Sequence, residues 1–147
     1  KIVEIVKNNI SLLSEVDQSI LIKFNYNKED LLIKCDNEQI SRVFFNLIKN
    51  SIESIQEKSK KNGDFAKIID IEIIDKNDYI TLNITDNGTG FSKDIIKNIT
   101  KPYFTTKPKG SGLGLSIVNK IINDHNGSIK FNSNKDDAKV EIILPKN

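Results

Sequence analysis

The sequence predicts an α/β (α+β) two-layer sandwich, with helices on one face of a mixed, mostly antiparallel sheet. Three observations predict it. Short runs alternate apolar with polar residues, as strands do, while longer stretches repeat their apolar residues at helical spacing. These segments run in the order strand-type runs and a long helix, a hairpin, a pattern-poor stretch, a helix and a second hairpin, which suits helices packed on one side of a sheet. Two glycine clusters, Asp86-Asn87-Gly88-Thr89-Gly90 and Gly110-Ser111-Gly112-Leu113-Gly114-Leu115, fall where a strand ends and where a helix begins.

The elements follow in order. Ile2, Ile5, Val6, Ile10 and Leu13 recur at helical spacing, and the chain contains no methionine. Residues 1–15 are therefore expected to be the end of a preceding helix or linker in a longer protein, and 16–147 to form the domain. Ile20 to Phe24 and Leu31 to Lys34 read as short strands either side of a turn-prone stretch. Asp36-Asn37-Glu38-Gln39 has the form of a capping box and opens a helix to about Lys58. Ile40, Val43, Phe44, Leu47, Ile48, Ile52 and Ile55 make its apolar arc, while Asn46, Asn50 and Glu53 line a separate polar stripe. Lys67 to Asp75 and Tyr79 to Asp86 form a hairpin turning at Lys76-Asn77-Asp78. Ile80, Leu82 and Ile84 share one face, and the two-residue period places Asp86 on that same inward face. A short helix is expected over Ser92 to Ile99, in a patternless stretch from 91 to 112 that reads as a lid. Leu113 to about Asp124 is helical and closes on Asn126-Gly127 as a left-handed cap. Ser128 to Ser133 and Ala138 to Leu144 make the last hairpin.

Composition narrows the function. With 37% hydrophobic and 29% charged residues, 147 residues suffice for one globular domain with a real core. The net charge of +2 balances 22 basic against 20 acidic residues, and no basic stripe with interleaved aromatics marks a nucleic-acid surface. The lone cysteine, Cys35, excludes an internal disulfide framework and reads as a small buried thiol. No apolar stretch reaches the roughly 18–20 residues that span a bilayer, and nothing resembles a signal peptide.

The glycine clusters carry the chemistry. Glycine lets backbone adopt positive φ or approach a ligand closely. A glycine loop running into a helix N-terminus presents unpaired N–H groups and the positive dipole end to an anion. Two such loops, with Lys101, Lys107 and Lys109 between them, read as a nucleotide site, against the plainer alternative of two glycine-rich surface turns. The second loop has the spacing Gly-x-Gly-x-Gly, which is neither the Rossmann fingerprint nor a Walker A loop. Asp86, ending an apolar row, is costly there unless something binds it.

These residues resemble a known superfamily. Asp36 to Ile55, with Asn46-Leu47-Ile48-Lys49-Asn50 at its centre, looks like the N box of the GHKL ATP-binding proteins. Asp86 to Gly90 resembles their G1 box, Pro102-Tyr103-Phe104-Thr105-Thr106-Lys107 their F box, and Gly110 to Leu115 their G2 box. The nearest likeness is to the catalytic, ATP-binding domain of two-component sensor histidine kinases, and Pro102 to Gly127 is similar to the nitrogen-regulation type. The resemblance implies a Bergerat fold with an ATP lid, and ATP with Mg2+ as ligands.

It also implies roles. Asp86 would accept a hydrogen bond from the adenine amino group, with Gly88 and Gly90 letting the backbone pack against the base. Asn50 would ligate Mg2+, and Asn46 would steady phosphate or metal water one turn earlier. Glu53 lies on the same stripe, either as part of the site or as a solvated carboxylate. Phe104 would hold the lid, and Lys107 would reach the phosphates. Gly110, Gly112 and Gly114 would cradle the triphosphate, and Thr106, Ser111 and Leu113 belong to the same binding set, although the Leu113 and Leu115 side chains are expected to pack the helix. Asn46, Asn50 and Lys107 form the expected catalytic group.

Asn46 points to one branch. Hydrolysing members and anti-sigma kinases typically carry a Glu there as general base, and an Asn amide cannot take a proton. The implied reaction is transfer of the γ-phosphoryl group to a histidine on an upstream dimerisation domain of the same homodimeric protein, for relay to a response regulator. Another GHKL ATPase or anti-sigma-type kinase, or a non-catalytic nucleotide-binding module, are the alternatives. His125, the one histidine, is expected to be a structural helix-end residue and not the phosphoacceptor. The resemblance further implies a cytoplasmic domain of a membrane-anchored kinase, with no membrane or nucleic-acid contact of its own.

Overall fold

Alternating burial along adjoining strands sets the architecture. The computed structural model describes residues 1–90, 114–133 and 137–147. Within them the chain forms α1 (Ile2–Leu13), β1 (Leu21–Tyr26), α2 (Asn37–Asn62), β2 (Ile68–Asp75), β3 (Tyr79–Asp86), α3 (Gly114–Asp124), β4 (Ser128–Ser133) and β5 (Ala138–Pro145). The strands make one sheet in the order β1-β2-β3-β5-β4, parallel between β1 and β2 and antiparallel elsewhere. Ile69, Ile71 and Ile73 of β2 are buried while Asp70 and Glu72 between them are exposed. The helices cover that apolar face, α2 against β2 and β3 and α3 against β4. The expected two-layer sandwich is the observed fold.

α2 is the hub. Ile40, Val43, Phe44, Leu47, Ile48, Ile52 and Ile55 are all buried along one stripe. Full burial of a side chain such as Phe44 contributes roughly 2–3 kcal/mol. The helix begins where the capping residues predict: Asp36 Oδ1 accepts from Gln39 N–H at 3.0 Å. It ends beyond Lys58, at Asn62, where Gly63 takes φ 78. Ile2, Val3, Val6 and Leu13 of α1 join the same core. Buried Asn9 donates to Ser41 Oγ at 3.0 Å and ties α1 to α2. Residues 1–15, expected as the end of a preceding helix or linker, thus pack on the domain body.

One expected strand is not formed. Residues 31–36 carry no strand ladder. Leu31 is 1% exposed and Leu32 64% exposed, an alternation that resembles a strand. Yet the backbone bonds run to two unrelated places, Leu31 C=O accepting from Ile2 N–H and Lys34 N–H donating to Lys146 C=O. The segment serves as a strap over the core between β1 and α2.

The end of α3 is a Schellman motif. Gly127 N–H donates to Ile122 C=O at 2.9 Å and Asn126 N–H to Asn123 C=O at 3.0 Å, with Asn126 in the left-handed position at φ 59. Gly127 is demanded by space, since a Cβ there would lie 2.5 Å from the Ile143 carbonyl oxygen. The expected helix over 92–99 falls outside the described residues.

Candidate functional site

The apolar row of β3 ends in a carboxylate. Ile80, Leu82, Ile84 and Asp86 share the inward face, and Asp86 is only 6% exposed. A buried carboxylate needs donors aimed at it. The loop that follows supplies one, Gly88 N–H donating to Asp86 Oδ1 at 2.9 Å, which fixes the plane of the group. In register Asp86 lies between Ile69 of β2 and Ala138 of β5.

The Asp86–Gly90 loop rests directly on α2. A Cβ on Gly88 would stand 2.3 Å from Ser54 Oγ and 2.7 Å from the Ser54 carbonyl carbon, so glycine is required here for close approach. Gly90 is required for conformation, at φ 75. Ser54 Oγ accepts from Thr89 N–H at 3.0 Å and bonds the Thr89 hydroxyl at 3.0 Å. One turn further, the Lys58 ammonium donates to Asn87 C=O at 3.1 Å while lying 4.9 Å from the Phe65 ring centroid. Asn87 anchors the other side, its Oδ1 accepting from Ile68 N–H at 3.0 Å and its Nδ2 donating to Ala66 C=O. The loop is held from β2 and from α2 at once.

Asn46, Asn50 and Glu53 occupy the two turns of α2 before Ser54 and are half-buried. Glu53 lies 4.0 Å from Lys49 Nζ. The i, i+4 spacing puts the amides of Asn46 and Asn50 on one side of the helix. Amide oxygens are hard ligands that suit Mg2+, which commonly takes only one or two protein ligands and completes its shell with water and phosphate oxygens. Among the described residues no group of three or more His, Cys, Asp or Glu converges on a metal position. The donor set fits that arrangement.

Gly114 opens α3, and nothing lies within 4 Å of the position its Cβ would take. Phe104, Thr106, Lys107, Gly110, Ser111, Gly112 and Leu113 lie outside the described residues. What the structure brings together is therefore the first glycine loop and the part of α2 just after the Asn46, Asn50 and Glu53 stripe, at Ser54 and Lys58.

Three residues of this framework had no role in the sequence reading: Ser54, Lys58 and Asn87. Ser54 stands four residues after Asn50, a spacing that places it beside the stripe, but its partner Thr89 is distant in sequence. His125 also proves to be more than a helix end. Its Nδ1 lies 2.8 Å from Ile121 C=O, and its Nε2 accepts from Asp36 N–H at 3.1 Å. An acceptor Nε2 requires the proton on Nδ1, which donates to the Ile121 carbonyl. The second half of the expected capping box is thus supplied by histidine, which takes the Asp36 N–H that Gln39 would otherwise cap. Cys35 is half-buried against the core, and burial pushes its thiol pKa up, which suits an inert packing residue.

A groove of about 510 Å3 lies between the start of α1 and the first turn of α2, lined by Lys1, Glu4, Asn37 and Glu38 among others. From Asn37 to Ser54 the helix climbs about 25 Å at 1.5 Å per residue. That groove belongs to the opposite end of α2 and has no glycine loop. Among the described residues no helix is long and apolar enough to cross a membrane.

Comparison with known proteins gives one answer. Residues 35–147 match the model of the histidine kinase-, DNA gyrase B-, and HSP90-like ATPases. A sensor histidine kinase NtrY-like protein of Rickettsia conorii is 38% identical over 127 residues, which is 86% of this chain and 20% of that protein. The chain thus spans about a fifth of that relative's length. The catalytic domain of histidine kinase ThkA, in a nucleotide-free form, superposes with a TM-score of 0.84 at 29% identity, covering 97% of this chain and 91% of that one. The structure of ThkA in complex with response regulator protein TrrA matches with a TM-score of 0.77 at 27% identity, over 98% of this chain and 40% of that one.

Proposed function

Because the chain belongs to the histidine kinase-, DNA gyrase B-, and HSP90-like ATPases, we propose that it binds Mg-ATP as the catalytic domain of a sensor histidine kinase. The single observation that carries this reading is the Asp86 carboxylate. It is buried at the end of β3, oriented by Gly88 N–H, and followed by a loop that rests on α2 at Ser54, one turn after Asn50. A carboxylate so fixed is suited to accept a hydrogen bond from the amino group of adenine. A base without that donor would forgo this bond.

In this reading Asn50 ligates Mg2+ through its amide oxygen, Asn46 steadies phosphate or metal water, and Glu53 borders them. Bound Mg2+ would neutralise charge on the transferring phosphoryl group. Gly90 shapes the base-binding loop. Gly114 opens a helix whose N-terminus favours phosphate, and Gly110, Ser111, Gly112 and Leu113 belong to the same phosphate-binding set. Phe104 holds the lid, Thr106 belongs to the nucleotide-binding set, and Lys107 reaches the phosphates as a point charge. The chain's own residues bind, orient and neutralise. The nucleophile comes from a histidine on an upstream dimerisation domain of the same homodimeric, membrane-anchored protein, and a response regulator receives the phosphoryl group.

His125 is not that nucleophile. The eleven residues of α3, at 1.5 Å each, put it about 16 Å from the helix start, and both ring nitrogens are engaged. The test is calorimetric titration of the chain with ATP and ADP, with and without Mg2+, followed by phosphorylation after fusion to the upstream domain. Mg-dependent binding, with acid-labile phosphate only in the fusion, is the expected result. Absence of adenine-nucleotide binding would overturn the reading, and phosphate on His125 of the isolated chain would overturn the division of labour.

A further inference from the structure

We propose that Ser54 is a positioning residue that sets the adenine-recognising loop at a fixed height above the metal-binding turn of α2, and so determines how strictly the site selects adenine. The proposal rests on the reading of Asp86 as the adenine acceptor. Ser54 is where α2 and the Thr89 side of the loop touch. It follows Asn50 by one helical turn on the same side of α2, and its hydroxyl meets the glycine loop at two atoms of one residue, the amide and the hydroxyl of Thr89, both at 3.0 Å.

Thr89 N–H can only donate, so Ser54 Oγ accepts it. In the hydroxyl pair either oxygen can be the donor, and the Thr89 hydroxyl also lies 3.5 Å from Gly90 C=O. The result is a chain of contacts from α2 through Ser54 and Thr89 to the Gly90 carbonyl. It spans the residues that follow Asp86, whose own carboxylate is oriented by Gly88 N–H.

Space enforces the same geometry. The backbone of Gly88 sits so close to α2 that a Cβ there would stand 2.7 Å from the Ser54 carbonyl carbon, besides overlapping the hydroxyl. The loop therefore cannot move toward α2, and the two hydrogen bonds keep its Thr89 end from moving away, while Lys58 and the Asn87 side chain hold its start. Removing the hydroxyl leaves the backbone part of the steric floor in place and releases the Thr89 end. That end of the loop then lifts, the Asp86 carboxylate loses its fixed orientation, and adenine loses the bond that distinguishes it. Phosphate and metal contacts on Asn46 and Asn50 are untouched.

That separation gives a readout that loss of stability alone does not mimic. ADP and inosine diphosphate share the ribose and phosphates, and only ADP carries the exocyclic amino donor. In Ser54→Ala of this chain, calorimetry should show ADP affinity reduced about tenfold, the scale of one lost pair of hydrogen bonds, with inosine diphosphate affinity nearly unchanged. Thr89→Ala, which keeps the backbone amide, should lower ADP affinity by a smaller factor and add little on the Ser54→Ala background, because both act through one tether. Asp86→Asn is the control for the underlying reading and should abolish the preference for ADP. Unchanged ADP affinity in Ser54→Ala, beside a lost preference in Asp86→Asn, would overturn the positioning role while leaving the adenine assignment intact. An equal loss for both nucleotides in Ser54→Ala would also overturn it, as would full additivity with Thr89→Ala. An Asp86→Asn chain that keeps its preference would remove the adenine assignment and this proposal with it.

Discussion

Asp75 and Asp86 close the two strands of one hairpin, and they are used in opposite ways. Asp75, the last residue of β2, meets two lysines: Lys146 from beyond β5 and Lys28 from the β1 side, the latter at 3.7 Å. Its Oδ1 also accepts from Asn77 N–H at 3.1 Å, which holds the turn that Asn77 makes at φ 72. Asp86, the last residue of β3, is more deeply buried, and it accepts from a backbone N–H two residues on, in a loop where glycine has cleared the space. Charged partners that neutralise a carboxylate leave it to hold the fold together. Backbone donors that orient it beside cleared space prepare it for a visitor.

The largest test of that contrast is exchange of the buried acid. Asp86→Asn should lower ATP and ADP affinity by about 10- to 100-fold, the range expected when a hydrogen bond to a charged acceptor is lost, with little change in the denaturation midpoint. Calorimetry and urea denaturation on the same sample decide it. A variant that unfolds readily yet binds normally when folded would make Asp86 a second Asp75. Gly88→Ala comes next. The added methyl must displace Ser54 backbone, so stability should fall by about 1–3 kcal/mol and nucleotide binding should fall with it.

Asp75→Asn should do the reverse, sparing nucleotide affinity and changing the response to acid. The Lys146 ammonium beside Asp75, helped by Asn77 N–H and Lys28 and opposed by desolvation, holds its pKa below the usual carboxylate value. A depressed native pKa stabilises the fold above the unfolded value of about 3.9, and that contribution is lost as pH falls through the native value. Urea midpoints between pH 7 and pH 2 should therefore fall less steeply below about pH 4 in Asp75→Asn than in the parent. Identical pH profiles would show that the lysine contacts do not persist in solution.

The smallest effect is expected at a third aspartate, Asp36, through its partner. His125→Phe keeps a ring of similar size but leaves Asp36 N–H without its acceptor, at a cost of about 1 kcal/mol and no change in nucleotide preference. A loss several times larger would mean that His125 governs the helix junction more broadly.

The parts of this arrangement differ in how far the sequence discloses them. Asp86 was legible because strand periodicity carries it inward along Ile80, Leu82 and Ile84, and the stripe of Asn46, Asn50 and Glu53 because helix periodicity separates it from the apolar arc. Both are local. The Ser54–Thr89 and Asp36–His125 bonds join positions 35 and 89 residues apart, and no local period records such a pairing. Leu31 to Lys34 misled for a related reason: its composition suits a strand, but a strand also needs a neighbour, and the edge beside it offers one hydrogen bond from Lys34 in place of a ladder.

The sheet order has a consequence for how the molecule assembles. β2 and β3 are joined by a three-residue turn and can pair early, since little chain entropy is spent in closing so short a loop. The other neighbour of β3 is β5, which sets Asp86 opposite Ala138 and Tyr79 opposite Pro145, while β1 reaches β2 only across the whole of α2, with Leu21 opposite Ile68. Such distant pairings are the slow steps in folding. The end of β3 that bears Asp86 is therefore flanked on one side within the first events and on the other only when nearly all of the chain has been gathered. A nascent or partly unfolded chain would carry the hairpin without a finished pocket, and competence to bind would arrive together with the completed sheet.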